Sequence, residues 1–331
     1  MTLRWGILST ANIGRRVVTP AVQAVPGLTV VAVASRDGAR AQAYAADLGI
    51  PKAYGSYEAL LADPEVDAVY NPLPNSLHLS WTLKALSAGK HVLCEKPLGL
   101  SAAECLTMAD AAKAADRVLM EAFMYRFHDR TQTLFELTRS GTLGALRLIR
   151  ARFAFTVSDP ANIRLNPDLG GGALMDVGCY CVNVARSIAR DEPLTVQARA
   201  AWVNGVDETL TATLTFAGGL VAQIDCALNQ PRFETLEVFG TEGYCEVDSA
   251  FLPGLDETAL RVTSRKTGVT QTVVPGHNQY ERMVEHFSEC AVQGAPQRYD
   301  AVEAAANLAV IEALYRSARA GGSETVVLTS R

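Results

Sequence analysis

The first 125 residues alternate short, nearly continuous apolar runs with amphipathic stretches, and nothing else in this 331-residue chain restricts its fold so strongly. Leu3–Leu8 reads as a strand, 13–25 as a helix stopped by Pro26-Gly27, and 28–35 as a strand rich in β-branched residues. Asp37 stands where a helix over 37–48 needs its N-cap, and Gly49 where it needs its stop. A helix at 57–62, a strand at 68–70, a helix over 76–88 and a strand at His91–Cys94 follow. Ser101-Ala-Ala-Glu104 is a capping box opening the next helix, and 118–122 is the last strand of the series. Strands without a polar side have to be covered on both faces, so the alternation predicts an α/β fold with a doubly wound parallel sheet.

Beyond about residue 145 the pattern changes. Segments 146–155, Thr195–Val203, 208–216, 220–229, 235–240 and 260–264 read as strands, with turns at Ala217-Gly218-Gly219 and Lys266-Thr267-Gly268. In 208–216, Leu210, Ala212, Leu214 and Phe216 fall on one face and Thr209, Thr211, Thr213 and Thr215 on the other. That is an antiparallel sheet with one face on helices and one polar face. Helices over 280–292 and Ala301–Ala320 and a strand at 325–328 close the chain. Two domains are expected, 1–125 for a dinucleotide and 126–331 for substrate binding and dimerisation, with the C-terminal helix free to pack back on the first.

Thirty Lys and Arg against 35 Asp and Glu, with no like-charged run, leave no basic patch for nucleic acid or a membrane surface. No apolar stretch approaches the roughly 20 residues that cross a bilayer, and the N-terminus lacks the basic and apolar regions of an export signal. The cysteines at 94, 105, 179, 181, 226, 245 and 290 offer no second ligand pair beside Cys179 and Cys181, so no metal site is expected. They suit reduced, buried thiols in a cytoplasmic protein.

The turn between the first strand and helix is where a dinucleotide fold holds its pyrophosphate. The G-x-G-x-x-G fingerprint falls on Ser9-Thr10-Ala11-Asn12-Ile13-Gly14, with only its last glycine present. Ser9 and Ala11 remain small enough for the backbone to approach a pyrophosphate, and the helix start supplies unpaired N–H groups. The second strand ends Ala34-Ser35-Arg36, where an NAD enzyme presents a carboxylate to the ribose. Ser35, Arg36 and Arg40 suit the 2′-phosphate of NADP. Asp37 as the ribose acid, and hence NAD, is the alternative, although Asp37 is also needed as a helix cap.

Four segments together resemble the family of glucose–fructose oxidoreductase and inositol dehydrogenase (Gfo/Idh/MocA). They are Gly6-Ile-Leu-Ser-Thr-Ala-Asn-Ile-Gly14, Asn71-Pro-Leu-Pro-Asn-Ser-Leu-His78, Glu95-Lys96-Pro97 and Gly170-Gly-Gly-Ala-Leu-Met-Asp-Val-Gly-Cys-Tyr180. The resemblance runs essentially end to end. It implies a Rossmann domain, a C-terminal domain with a large open, mostly antiparallel sheet, and pyridine-nucleotide redox chemistry on sugars or polyols. Lys96 matches the lysine expected beside the nicotinamide and substrate, and Asp176 and Tyr180 match an Asp-x-x-x-His/Tyr pair. Tyrosine rather than histidine at 180, and Asn162-Ile163-Arg164 before it, resemble the branch of aldose 1-dehydrogenases and dimeric dihydrodiol dehydrogenase. By the same resemblance Leu73, Pro74, Asn75, His78 and Glu95 should serve the cofactor, and Asn162 and Arg164 the substrate; Arg126 is expected to contact one or the other. The resemblance also implies a homodimer paired through the open sheet face.

Residues 174–188 have helical spacing, with Leu174, Val177, Cys181, Val184 and Ile188 on one stripe and Asp176, Tyr180, Asn183 and Ser187 on another. Tyr180 is the expected proton carrier. A free phenol titrates near pH 10, about three units too high for a base at neutral pH, and a cation such as Lys96 lowers it. Asp176 would orient the tyrosine or the substrate. A half-buried structural Tyr180 and a solvated Lys96 are the plainer alternatives. The expected activity is hydride transfer between NADP and an aldose or cyclic polyol; a trans-dihydrodiol or dicarbonyl substrate, or a nucleotide-binding regulator without turnover, are the other readings.

Overall fold

The computed structural model describes residues 2–328. The chain forms two compact units, one running to Met124 and including Asn278–Ala305, the other comprising Tyr125–His277 and the chain from Ala306. The helix Gln279–Gln293 buries Met283, Val284 and Phe287, and Phe287 lies 4.9 Å from the Trp5 ring of the first strand. Those contacts hold the returning segment in the first unit.

The first unit is built on β1 (Leu3–Leu8), β2 (Leu28–Ala34), β3 (Lys52–Tyr54), β4 (Ala68–Asn71), β5 (His91–Cys94) and β6 (Leu119–Glu121). They form a six-stranded sheet in the order β3-β2-β1-β4-β5-β6, and every neighbouring pair is parallel. This is the doubly wound Rossmann order, whose direction reverses between β1 and β4, and ligands bind beyond the carboxyl ends of such strands at that reversal. Trp5, Ile7, Leu8, Val33, Val69, Tyr70, Val92 and Leu93 have no exposed surface, as strands covered on both faces require. The helices are α1 (Thr19–Ala24), α2 (Gly38–Leu48), α3 (Tyr57–Leu61), α4 (His78–Ser87) and α5 (Ala102–Ala115). Ser101 caps α5 by accepting from the Glu104 N–H at 3.2 Å, while the Glu104 carboxylate accepts from Leu100, one residue short of a reciprocal box. The three-residue β3 carries no apolar run and is absent from the sequence reading.

The second unit holds α6 (Asp129–Arg139), β7 (Leu146–Thr156), α7 (Cys179–Ala189), β8 (Thr195–Val203), β9 (Val206–Thr215), β10 (Val221–Ala227), β11 (Asn229–Gly240), β12 (Gly243–Asp248), β13 (Thr258–Ser264), β14 (Gly268–Val274) and, after helices α8 (Gln279–Gln293) and α9 (Ala301–Ala320), β15 (Ser323–Thr325). Its nine-stranded sheet runs β14-β13-β12-β11-β7-β10-β9-β8-β15 and is antiparallel except where β10 lies parallel to β7. Leu210, Leu214, Phe216, Ala222, Ile224 and Cys226 are buried as the alternation requires. The final strand is Ser323–Thr325 rather than 325–328, because Thr325 pairs with Thr195, where β8 begins. The sequence reading also lacks β12, β14 and α6. An edge strand exposed at six of its seven positions, β14 has no burial alternation to read, and α6 buries only Leu134 and Phe135 among its apolar residues. All seven cysteines are buried, with no disulfide among the described residues. Among those residues no helix is long and apolar enough to cross a membrane.

Candidate active site

In the first unit β1 runs directly into the turn at residues 9–13. Ser9 has φ 123°, a region suited to glycine that strains other residues by about 1–3 kcal/mol. It holds the first glycine position of the fingerprint, so the backbone takes the glycine path without the glycine. Its hydroxyl accepts from the Ala11 N–H at 3.2 Å. The following helix opens with a π-helical turn at Gly14–Val18, a geometry frequent at functional sites. Residues 9–13, from Ser9 through Thr10, Ala11, Asn12 and Ile13, all retain accessible surface.

Beyond β2, Ser35 is buried and accepts from the Asp37 N–H at 3.2 Å. Asp37 accepts from Ala39 and Arg40 N–H groups at 2.9 and 3.2 Å and lies 4.0 Å from Arg40 Nε. Its carboxylate is therefore the cap of α2. Arg36 and Arg40 are exposed, and burial raises the Tyr57 phenol while the adjacent Arg36 guanidinium opposes that rise.

The loop after β5 is anchored at successive residues. Glu95 accepts from the Tyr70 hydroxyl at 2.6 Å and from the Lys96 N–H at 3.3 Å. The Lys96–Pro97 peptide is cis. Leu98 N–H donates to Glu121 Oε1 at 2.7 Å, and Glu121 has no exposed surface. His78 is wholly buried, with Nδ1 at 2.9 Å from the Pro97 carbonyl and Nε2 at 2.8 Å from the Leu73 carbonyl. Burial pushes its pKa down to about 4 against the pull of both carbonyls. Leu73 is 5% exposed, whereas Pro74, Asn75, Glu95 and Lys96 keep partial exposure. His91 accepts from the Val118 N–H at 3.0 Å, a structural tie between strands.

In the second unit, Leu174–Gly178 winds as a π-helix before α7. Tyr180 is 5% exposed rather than half-buried, and its ring lies 5.3–5.8 Å from those of Tyr125, Phe153 and Phe251. Asp176 is paired with Arg164, Nε to Oδ2 at 2.6 Å. The middle of the polar stripe is interior, between partly exposed Asp176 and Ser187: Asn183 has no exposed surface and accepts from Tyr125 at 2.5 Å. Asn162 spends its side chain on the Arg164 N–H at 3.1 Å, as the cap of a local turn. Arg126 is partly exposed and its carbonyl accepts from Gln132 at 2.6 Å.

Sequence reasoning missed what holds the glycine-rich segment. Asp207 is 1% exposed; it accepts from the Leu174 N–H at 2.7 Å and from the Tyr315 hydroxyl at 2.8 Å. Burial pushes its carboxyl up to about 6. A Cβ on Gly171 would stand 2.4 Å from the Arg164 carbonyl oxygen, and one on Gly172 2.1 Å from Asp207 Oδ1. The glycines thus serve close packing that delivers Asp176 and Tyr180 on one helix. The one sequence signal is a carboxylate just ahead of the alternating stretch 208–216.

A family model described as the Gfo/Idh/MocA oxidoreductase family, NAD-binding Rossmann fold, matches residues 3–123, and the model of the family's C-terminal domain matches residues 131–246. The chain belongs to this oxidoreductase family. It is similar to D-xylose 1-dehydrogenase (NADP(+)) 2 of Haloferax volcanii, 43% identical over 97% of this chain and 99% of the relative. A second relative, trans-1,2-dihydrobenzene-1,2-diol dehydrogenase of Mus musculus, is 38% identical over 76% of this chain and 77% of its own. Aldose–aldose oxidoreductase of Caulobacter crescentus, solved with glycerol, superposes with a TM-score of 0.90 at 30% identity, covering 98% of this chain and 100% of that one.

Proposed function

We propose that the chain is an NADP-dependent dehydrogenase of aldoses, oxidising a sugar hydroxyl with Tyr180 as the proton acceptor and Lys96 as the cation that eases deprotonation of the phenol. The observation that carries the substrate class is the near full-length similarity to an NADP-dependent D-xylose 1-dehydrogenase. Trans-dihydrodiol oxidation is the second reading, supported by the mouse relative. Incubating the protein with NADP and a panel of pentoses, hexoses, inositols and dihydrodiols separates the two, and binding without turnover of any of them would instead mark a regulator.

The residues present fit a dinucleotide. The strained Ser9 turn and the helix start behind it offer backbone N–H groups, and Asp37 is committed to α2 while Arg36 and Arg40 remain exposed for a 2′-phosphate. Bound NADP would supply the hydride acceptor. Tyr180 would take the proton of the reacting hydroxyl, its ring held by three aromatic neighbours. Asp176, fixed by Arg164, would orient the substrate hydroxyls as a hydrogen-bond acceptor. Glu95, Pro74 and Asn75 would border the nucleotide, and Arg126 and Arg164 the sugar. The first unit would then be the nucleotide domain and the second the substrate domain.

NADP should bind more tightly than NAD, and Arg36→Ala should shrink that preference by about tenfold, since a charge-assisted hydrogen bond contributes about 1.5–3 kcal/mol. Fluorescence titration with both nucleotides measures it, and NAD preferred by the unmutated protein would contradict the assignment.

The outer face of the nine-stranded sheet is our proposed dimer contact. Across it Arg152 pairs with Asp225 at 2.6 Å and Arg150 with Glu237 at 3.7 Å, with Gln223, Thr211 and Thr213 between and beside them. Such a mixed face is self-complementary under a two-fold axis. Light scattering should return a dimer at micromolar concentration; a monomer would refute the contact. Buried thiols suit the reducing cytoplasm, where we place the protein.

A further inference from the structure

We propose that His78 is a positioning residue for Lys96, acting by tying the Pro97 carbonyl to the loop that begins at Leu73. The inference rests on the reading that Lys96 serves the reaction. One planar ring, with no exposed surface, places its two nitrogens 2.9 Å from the Pro97 oxygen and 2.8 Å from the Leu73 oxygen. The ring therefore fills the space between those two carbonyls. The neighbouring residues are held in the same manner, Glu95 by the Tyr70 hydroxyl at 2.6 Å and the Leu98 N–H by Glu121 at 2.7 Å. Tyr70, His78 and Glu121 are all wholly buried and come from β4, α4 and β6. Lys96 lies inside this run of anchors. His78, from the start of α4, stands between the loop after β4 and the loop after β5.

Buried and close enough to Lys96 to feel its charge, the ring is neutral at neutral pH. A neutral imidazole has one N–H, so only one of the two carbonyls receives a hydrogen bond. With that proton on Nδ1 the ring donates to the Pro97 carbonyl, next to Lys96, and acts on Lys96 through it.

Two amide variants separate the two nitrogens, because the amide of Asn reaches the Nδ1 position and that of Gln the Nε2 position. His78→Asn should keep kcat within about threefold of the parent. His78→Gln should lower kcat by about tenfold to 10²-fold, the cost of misplacing a reacting group by about 1 Å. It should also move the pH optimum upward, as a cation displaced from a phenol would, while the Kd for NADP stays within about threefold. Parent-like kcat in the Gln variant, or an Asn variant that loses as much as Gln, overturns the proposal. If the Gln variant does not fold, the Asn variant decides alone: kcat within about threefold supports the tie to Pro97, and a tenfold loss overturns it. Lys96→Met with undiminished kcat would instead overturn the reading beneath it, because His78 would then have no group to position.

Discussion

Tyr180→Phe should lower kcat by about 10²–10⁴-fold and leave NADP affinity nearly unchanged. The substitution deletes one hydroxyl and keeps the ring, so the packing against Tyr125, Phe153 and Phe251 survives. What disappears is positioned proton transfer, for which that range of rates is typical. If Lys96 serves the phenol as proposed, Lys96→Met should impair turnover as well and raise the pH optimum. Steady-state kinetics and nucleotide titration on the same preparations separate chemistry from binding. A Tyr180→Phe enzyme that keeps most of its kcat assigns the proton to another group.

Gly172→Ala should lower stability by about 2–6 kcal/mol. The residue has φ 119°, and the added Cβ would meet Asp207 Oδ1 at 2.1 Å and the Tyr315 hydroxyl at 3.0 Å. Backbone strain of about 1–3 kcal/mol and overpacking of about 1–3 kcal/mol act together. Moving Asp207 to relieve the contact would also strip the Leu174 N–H of its acceptor at the start of the Asp176–Tyr180 segment. Gly218→Ala is the control: φ is 70° but open space surrounds the new Cβ, so only the roughly 1–2 kcal/mol of left-handed strain applies. Urea unfolding followed by circular dichroism measures both; equal losses would show that the Asp207 contact contributes nothing.

The parallel sheet was legible because β1, β2, β4 and β5 are buried on both faces and leave continuous apolar runs. The short edge strand β3 and the exposed edge strand β14 had no such pattern to leave. At the turn after β1 the spacing of small residues singled out residues 9–13, and the positive φ at Ser9 is a feature no residue preference would suggest. Asp37 was legible as a cap because capping is local. Asp207, Glu121 and His78 were not legible in their roles, since each bonds to backbone 19 or more residues away at Leu174, Leu98 and Pro97, and sequence spacing carries no record of such pairings. Motif resemblance named Lys96, Asp176 and Tyr180 without the buried side chains that set their backbone.

The most direct test is NADPH formation by the purified protein across the sugar and diol panel, with Tyr180→Phe run alongside. Turnover of an aldopentose such as D-xylose, at least about 10²-fold slower in the variant, is the predicted result. Tight NADP binding with no oxidation of any sugar or diol, or equal rates in the two proteins, would contradict the account.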